Sequence, residues 1–322
     1  MAANRQRLSV TEFDFDEVKD NLKLFMRNQT EFKDYDFEGS GLSALLDVLA
    51  YNTHYLGFNA NMLANEMFLD SSQLRSSVVS HAKTLGYTTR SATASNAVVD
   101  IFLNTTNASA TMPAGTVFSA SVGDESYQFV TISDVTSSNS GSNIVFDDVR
   151  IYEGSYVSSR YVADTQNVEQ RFLINDDRAD TTTLSVIVQN SATDTIQTTF
   201  TQATDISGLT STSNVYFIQE VEDGQYEIYF GDGILGSAIE DGNIIIMQYV
   251  VTNKGAANGA STFTSSTAID TVNSVNVVTV SNSAGGSEPE SIESIKYNAP
   301  LDYASQGRCV TTEDYKTYVK QL

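Results

Sequence analysis

Apolar residues in the first ninety positions recur at helical spacing. Phe15, Val18, Leu22, Phe25 and Met26 fall three and four apart, one stripe of an amphipathic helix, and Asp14 with Glu17 supplies a capping pair at its start. The turn-forming run Glu38-Gly39-Ser40-Gly41 interrupts the pattern, with Ser40 placed as an N-cap. Leu42, Leu45, Leu46, Leu49, Leu56, Leu63 and Met67 then continue the helical period. A third helix is expected after Asp70 on Leu74, Val78, Ala82 and Leu85, and Gly86 stands where a left-handed C-cap glycine belongs. No proline precedes Pro113, so nothing breaks these helices.

Near residue 92 the texture changes to short runs of Thr, Ser, Val, Ile and Tyr broken by Gly, Asn and Asp. Strands are expected over 97–103, 115–121, 126–132, 143–152, 170–175, 182–189, 196–202, 215–220, 225–230, 243–252 and 272–280. Glu222-Asp223-Gly224, between two alternating runs, reads as a tight hairpin turn. The run Ser283–Ser287 punctuates the chain, after which the pattern turns helical at Ser291 and again at Thr311. The fold class expected is α+β: a helical N-terminal region over 1–92, a mainly antiparallel β-domain over 93–282, and the start of a further α/β or helical region over 283–322.

Charge narrows the function. Forty acidic residues face 18 basic ones, a net charge of −22. Residues 1–92 carry 12 acidic and 9 basic side chains, whereas 93–322 carry 28 and 9, so the excess lies in the β-region. A nucleic-acid backbone needs clustered Lys and Arg to displace its counterions, and this chain has no such cluster. Such acidity suits either a solvated surface or a face that meets basic partner proteins. No apolar run exceeds four residues, so no stretch is long enough to span a membrane. Cys309 is the single cysteine, which excludes an intrachain disulfide and points to a reducing compartment.

The chemical inventory is thin. His54 and His81 lie on different expected helices without a metalloprotease spacing, and with Cys309 they fall short of a four-ligand zinc site. Asn175, Asp176, Asp177 and Asp180 offer hard oxygens, but not at the spacing of a calcium loop. The glycine-rich stretch Phe230–Gly236 follows a strand, yet no helix-forming stretch follows it as a phosphate cradle requires. Gly231, Asp232, Gly233 and Gly236 read instead as a structural turn in which Asp232 bonds the loop backbone. No catalytic, cofactor-binding or metal-binding residue is assigned.

Several segments resemble one family. They are Phe13–Lys19, the long run Phe32–Tyr55, and Asn65–Arg75, which look like the N-terminal region of the baseplate wedge proteins of T-even-like contractile-tail phages, the products of gene six. Phe230–Gly236 with Gly242, Asn243, Tyr249 and Gly255–Gly259 resembles the core signature of the wider baseplate J-like family, as do Gly285–Ser291 and Arg308–Tyr315. The resemblance implies a virion protein of the tail baseplate, made in the host cytoplasm. It implies as partners a second copy of the chain, a larger baseplate wedge subunit, and other wedge and sheath-initiating baseplate proteins. In that family N-terminal helices bundle with the larger subunit, six wedges surround a hub as an inner ring, and the ring's rearrangement permits sheath contraction. The family has no catalytic residues to carry over. Its members are roughly twice this length, so a fragment, or a short form without the C-terminal dimerisation region, is expected.

An amphipathic stripe must bury itself on something. The expected partner seam is Phe15, Val18, Leu22, Phe25, Leu42, Leu45, Leu46 and Leu49. The alternative is a carbohydrate-binding or hydrolytic tail-associated β-domain, which requires an open cleft with stacked aromatics and a close carboxylate pair.

Overall fold

The computed structural model describes residues 14–27 and 39–305, except 140, 142, 168, 205–207, 222–223 and 266, together with Thr312 and Tyr315. Cys309, Thr311, Asp314, the Glu222-Asp223 pair and the Phe32–Glu38 part of the long motif lie outside them. The α+β class holds: helices come first, then antiparallel sheets, then a further helix. The chain divides into two units, residues 1–87 with 295–322 and residues 88–294.

In the first unit, α1 spans Phe15–Arg27, α2 Gly41–Glu66 and α3 Arg75–Thr84. The Ser40 hydroxyl accepts from Ser43 N–H at 3.0 Å, an N-cap at the start of α2. At the other end of the trio Gly86, at φ +79°, closes α3. Its N–H donates to Lys83 C=O and Tyr87 N–H to Ala82 C=O, the paired bonds of a Schellman stop. α1 packs on α2, with Lys19 Nζ 2.6 Å from Asp47. Val78, Val79 and Ala82 of α3 are buried, as is Ala50 of α2. Helix α4, Ile292–Ser305, accommodates Pro300 and buries Ile295 and Ala299.

The second unit holds two sheets, each wrapped on its own core. The first uses β1 (Asn96–Asn104), β3 (Val117–Val122), β4 (Glu125–Val130), β6 (Asn143–Glu153), β14 (Phe263–Ser265) and β15 (Val275–Ala284), in the order β14-β3-β4-β6-β1-β15. β14 and β15 are its outer strands, yet they lie close together, and the segment leading into β14 bonds to β15: Thr279 Oγ1 donates to Ser261 C=O at 2.7 Å, and Ser283 N–H to Ala260 C=O at 2.9 Å. The sheet therefore curls almost shut around Ile101, Leu103, Phe118, Phe129, Ile144 and Phe146. The hairpin-like pair β2 (Ser109–Met112) and β5 (Val135–Ser138) adds Met112 to that core.

The other sheet uses β7 (Ser155–Val162), β8 (Phe172–Ile174), β9 (Ala179–Gln189), β10 (Gln197–Gln202), β11 (Val215–Glu220), β12 (Tyr226–Phe230) and β13 (Ile244–Val251). Its order is β7-β13-β9-β10-β11-β12-β8, and only the β10–β11 pair is parallel. Here too the outer strands meet, as Tyr161 OH of β7 donates to Leu173 C=O of β8 at 2.7 Å. Phe172, Phe200, Tyr216, Ile228, Ile245 and Met247 fill the interior.

The chain passes from one sheet to the other at Gly154, whose φ of +126° turns β6 into β7. A Cβ at this position would lie 2.2 Å from Val251 C=O. Beside this corner the buried Glu153 carboxylate is fully occupied. It accepts from Thr252 Oγ1 at 2.7 Å, Asn253 N–H at 2.9 Å and Asn253 Nδ2 at 2.8 Å.

Residues 88–95 run extended and largely buried, although most are polar. Several find partners far along the chain: Thr89 the Glu220 carboxylate, Arg90 Glu290, Ser91 Thr181, Ser95 Asn258. Ala94 N–H donates to Asp180 at 2.7 Å, and Thr182 donates to the same carboxylate through its N–H and hydroxyl. Burial raises the Asp180 carboxyl above the ordinary aspartate value of 3.8, against the pull of those donors. Between that value and the raised one, the folded chain keeps a proton that the unfolded chain has released. Asp180 therefore contributes less stability as pH rises through the window. The stability advantage of wild type over Asp180→Asn should shrink as pH rises there in urea titrations. An advantage that grows with pH would mean that the carboxyl is held low instead.

β2, β5, β7 and β14 were not expected from the sequence. Three are only three or four residues long, and β7 buries little, its inward positions including Ser159.

Candidate functional site

The polar residues singled out from the sequence serve the fold. His81 Nε2 lies 2.9 Å from Glu66 C=O, tying α3 to the end of α2. The Glu66 carboxylate accepts from Gln73 N–H at 2.8 Å and Leu74 N–H at 3.3 Å, at the start of α3. Burial opposes its charge. Hydrogen bonds from Gln73, Ser77 and Leu74, with the charge of Lys296, nonetheless hold its carboxyl below the ordinary glutamate range. His54 is half-buried beside Tyr55. Asp176 accepts from Arg178 N–H at 2.9 Å and pairs with its guanidinium, while the Asp180 oxygens are taken up by Ala94 and Thr182. Among the described residues no group of three His, Cys, Asp or Glu is placed to hold a metal. Phe217 and Tyr229 do stack, at 5.2 Å and 19°, but the Arg171 guanidinium sits 4.7 Å over Tyr229, so this pair is not an open sugar platform.

The eight seam residues do not share one face. Leu46 is buried; Phe15, Val18, Leu22 and Leu42 are half-buried; Phe25, Leu45 and Leu49 face solvent. Helix α2 explains the division. Its inward side is made mostly of small and polar positions, Ser43, Ala50, His54, Gly57 and Asn61, with Leu46 and the half-buried Leu42 the large apolar residues among them. A helix with small inward residues approaches its neighbour closely and leaves its bulky residues outside. Leu45, Leu49, Leu56 and Leu63 form that outer stripe, 53% to 70% exposed. Tyr55 and Met62 extend it on one flank.

The spacing within the stripe is specific. Leu49, Leu56 and Leu63 recur every seven residues, and Leu45, Asn52 and Asn59 fall at the alternate heptad positions. Heptad spacing of this kind keeps a seam facing a partner helix, and Asn layers within a seam fix register at a cost in stability. Sequence periodicity placed Leu56 and Leu63 on the helix; the seven-residue recurrence was the signal that would have added them to the site.

The glycine turn is tightly built. Asp232 Oδ1 accepts from Ile234 N–H at 2.9 Å and Leu235 N–H at 3.0 Å, and these bonds hold its carboxyl below the ordinary range. Gly233 N–H donates to Gly236 C=O at 3.1 Å. Gly233 and Gly236 have positive φ, and a Cβ on Gly231 would lie 2.3 Å from Leu235 C=O. The result is a rigid loop that turns Ile234, 74% exposed, and Leu235 toward solvent.

The chain resembles known proteins along most of its length. Residues 14–87 match the family described as baseplate wedge protein gp6-like, helical domain. Residues 160–261 match bacteriophage baseplate wedge protein gp6, third domain. The chain is 32% identical, over an alignment 339 positions long, to baseplate wedge protein gp6 of Enterobacteria phage T4, which covers 95% of this chain and 49% of that protein. The chain thus spans about half the length of this curated relative. Among solved structures, a chain of the sixfold-symmetrised baseplate of the anti-feeding prophage aligns over 93% of this chain and 54% of its own length, at 12% identity and a TM-score of 0.32.

Proposed function

Because this chain belongs to the gp6-like baseplate wedge proteins, we propose that it is a structural subunit of a phage tail baseplate, acting by association with other baseplate proteins and not by catalysis. In the virion it would contribute to the inner baseplate ring. Its helical region would join a bundle with a second copy and a larger wedge subunit, and the ring would rearrange when the sheath contracts. The outward leucine stripe of α2 carries this reading. Four leucines in heptad register, exposed in the free chain and interleaved with asparagines, form a seam suited to helices from other subunits. A scaffold role also accords with polar side chains already consumed by the fold, such as Glu153 and Asp180.

Co-expression with the larger wedge subunit of the same phage tests the proposal. The two should co-purify, and the full set of wedge proteins should yield sixfold rings by electron microscopy. A chain that ignores the wedge subunit and instead retains or cleaves host polysaccharide would overturn it in favour of a carbohydrate-binding or hydrolytic β-domain.

A further inference from the structure

Three loops gather at one end of the seven-stranded sheet: 163–170, 190–196 and 231–243. Hydrogen bonds stitch them together. Ala163 N–H donates to Asn243 C=O at 2.8 Å and Gly242 N–H to Ala163 C=O at 3.0 Å. Thr165 N–H donates to Asp241 at 3.2 Å, and Asn243 Nδ2 to Asn190 C=O at 2.8 Å. A shallow cleft opens between the first and third loops, lined by Asp164, Thr165, Gln170, Phe230, Gly231 and Ile239.

This end has two unusual properties. The first is apolar: Val162, Ile196, Ile234 and Leu235 all stand exposed there. Single exposed apolar residues are ordinary. Ile234 and Leu235 differ because an aspartate cap and three constrained glycines hold them outward, so they cannot fold back to escape water. The second is charge. The three loops carry Asp164, Glu169, Asp194, Asp232, Glu240 and Asp241, and no lysine or arginine. Arg171, which follows the first loop in sequence, is paired with Glu227 at 3.3 Å.

We infer that this end of the β-unit is a second docking surface, separate from the helical seam, and that it takes a protein segment with an apolar anchor flanked by lysine or arginine. Ile234 and Leu235 supply a preformed apolar contact that loses little conformational freedom on binding. The surrounding carboxylates attract and orient the basic flanks. The same carboxylates disfavour the other occupants. Anionic lipid headgroups and nucleic-acid phosphates are repelled, and a second copy docked face to face would set acid against acid.

The test uses the full chain and a labelled peptide of sequence Lys-Lys-Ile-Leu-Lys-Lys, followed by fluorescence anisotropy, with two control peptides. One replaces Ile-Leu by Ser-Ser, and the other replaces every Lys by Glu. The basic apolar peptide should bind at least tenfold more tightly than either control and lose affinity with added salt. The double substitution Ile234→Ser with Leu235→Ser should lower its affinity at least tenfold without moving the unfolding midpoint, because both side chains are exposed. Asp194→Asn with Glu240→Gln should weaken it less but flatten the salt dependence. Absence of binding, equal binding of the Ser-Ser peptide, or indifference to the Ile234/Leu235 substitutions would overturn the proposal. So would binding of the chain to vesicles of phosphatidylcholine and phosphatidylglycerol through these same residues.

Discussion

Leu49→Asp should abolish association with the proposed larger wedge subunit while leaving the free chain as stable as before, and Leu56→Asp should do the same. Both side chains stand in solvent on α2, so a carboxylate there changes the stability of the free chain by no more than about 0.5 kcal/mol. In a bundle seam the same carboxylate is desolvated without a partner, which costs about 3–5 kcal/mol. That range corresponds to a loss of affinity on the order of a hundredfold to several thousandfold. Leu46→Asp makes the contrast. Leu46 is buried within the helical unit, so its replacement should unfold that unit before any partner is added. Circular dichroism melts of the free chains, paired with co-purification from co-expressing cells, separate the two effects. Normal assembly by both Leu49→Asp and Leu56→Asp would remove the α2 stripe from the interface.

The other large effect is expected at Gly154. Its φ of +126° is open to glycine and strained for any other residue, and a Cβ there meets Val251 C=O at 2.2 Å and Val250 Cγ1 at 2.9 Å. Neither neighbour can retreat easily, because Val250 is fully buried and both belong to β13, the strand to which β7 is paired. Gly154→Ala therefore combines backbone strain with a steric clash at the passage between the two sheets. It should lower the stability of the β-unit by roughly 3–5 kcal/mol. Gly123 also has positive φ, +60°, but nothing lies within 4 Å of its absent Cβ. Gly123→Ala should cost only about 1 kcal/mol. Urea titrations of both variants give the comparison, and equal midpoints would show that the corner relaxes around a methyl group.

How far the sequence reached is clear from particular residues. Ser40 as a cap, Gly86 as a stop and the α+β class were legible because each depends on neighbours within a few positions. Heptad recurrence and the family resemblance were equally present in the bare sequence. Local signals failed where they were short or mixed. β14 has three residues, and β7 places Ser159 among its inward positions, so neither produced a run of apolar alternation.

Helical period by itself determined that α2 carries leucines all along its length, and it could not say which of them face inward. Leu45 and Leu46 are adjacent in sequence and about 100° apart on the helix. Tertiary packing, in which α1 lies against α2, decided that Leu46 is buried and Leu45 is not. Residues 88–95 teach the same lesson with polar groups. Nothing local marks Thr89, Ser91 or Ser95 as buried, because the groups that satisfy them, Glu220, Thr181 and Asn258, lie 90 to 163 positions away. A helix cap or a hydrophobic stripe is written in neighbouring residues. Burial of a polar side chain depends on which distant segments arrive beside it, and only the folded chain decides that.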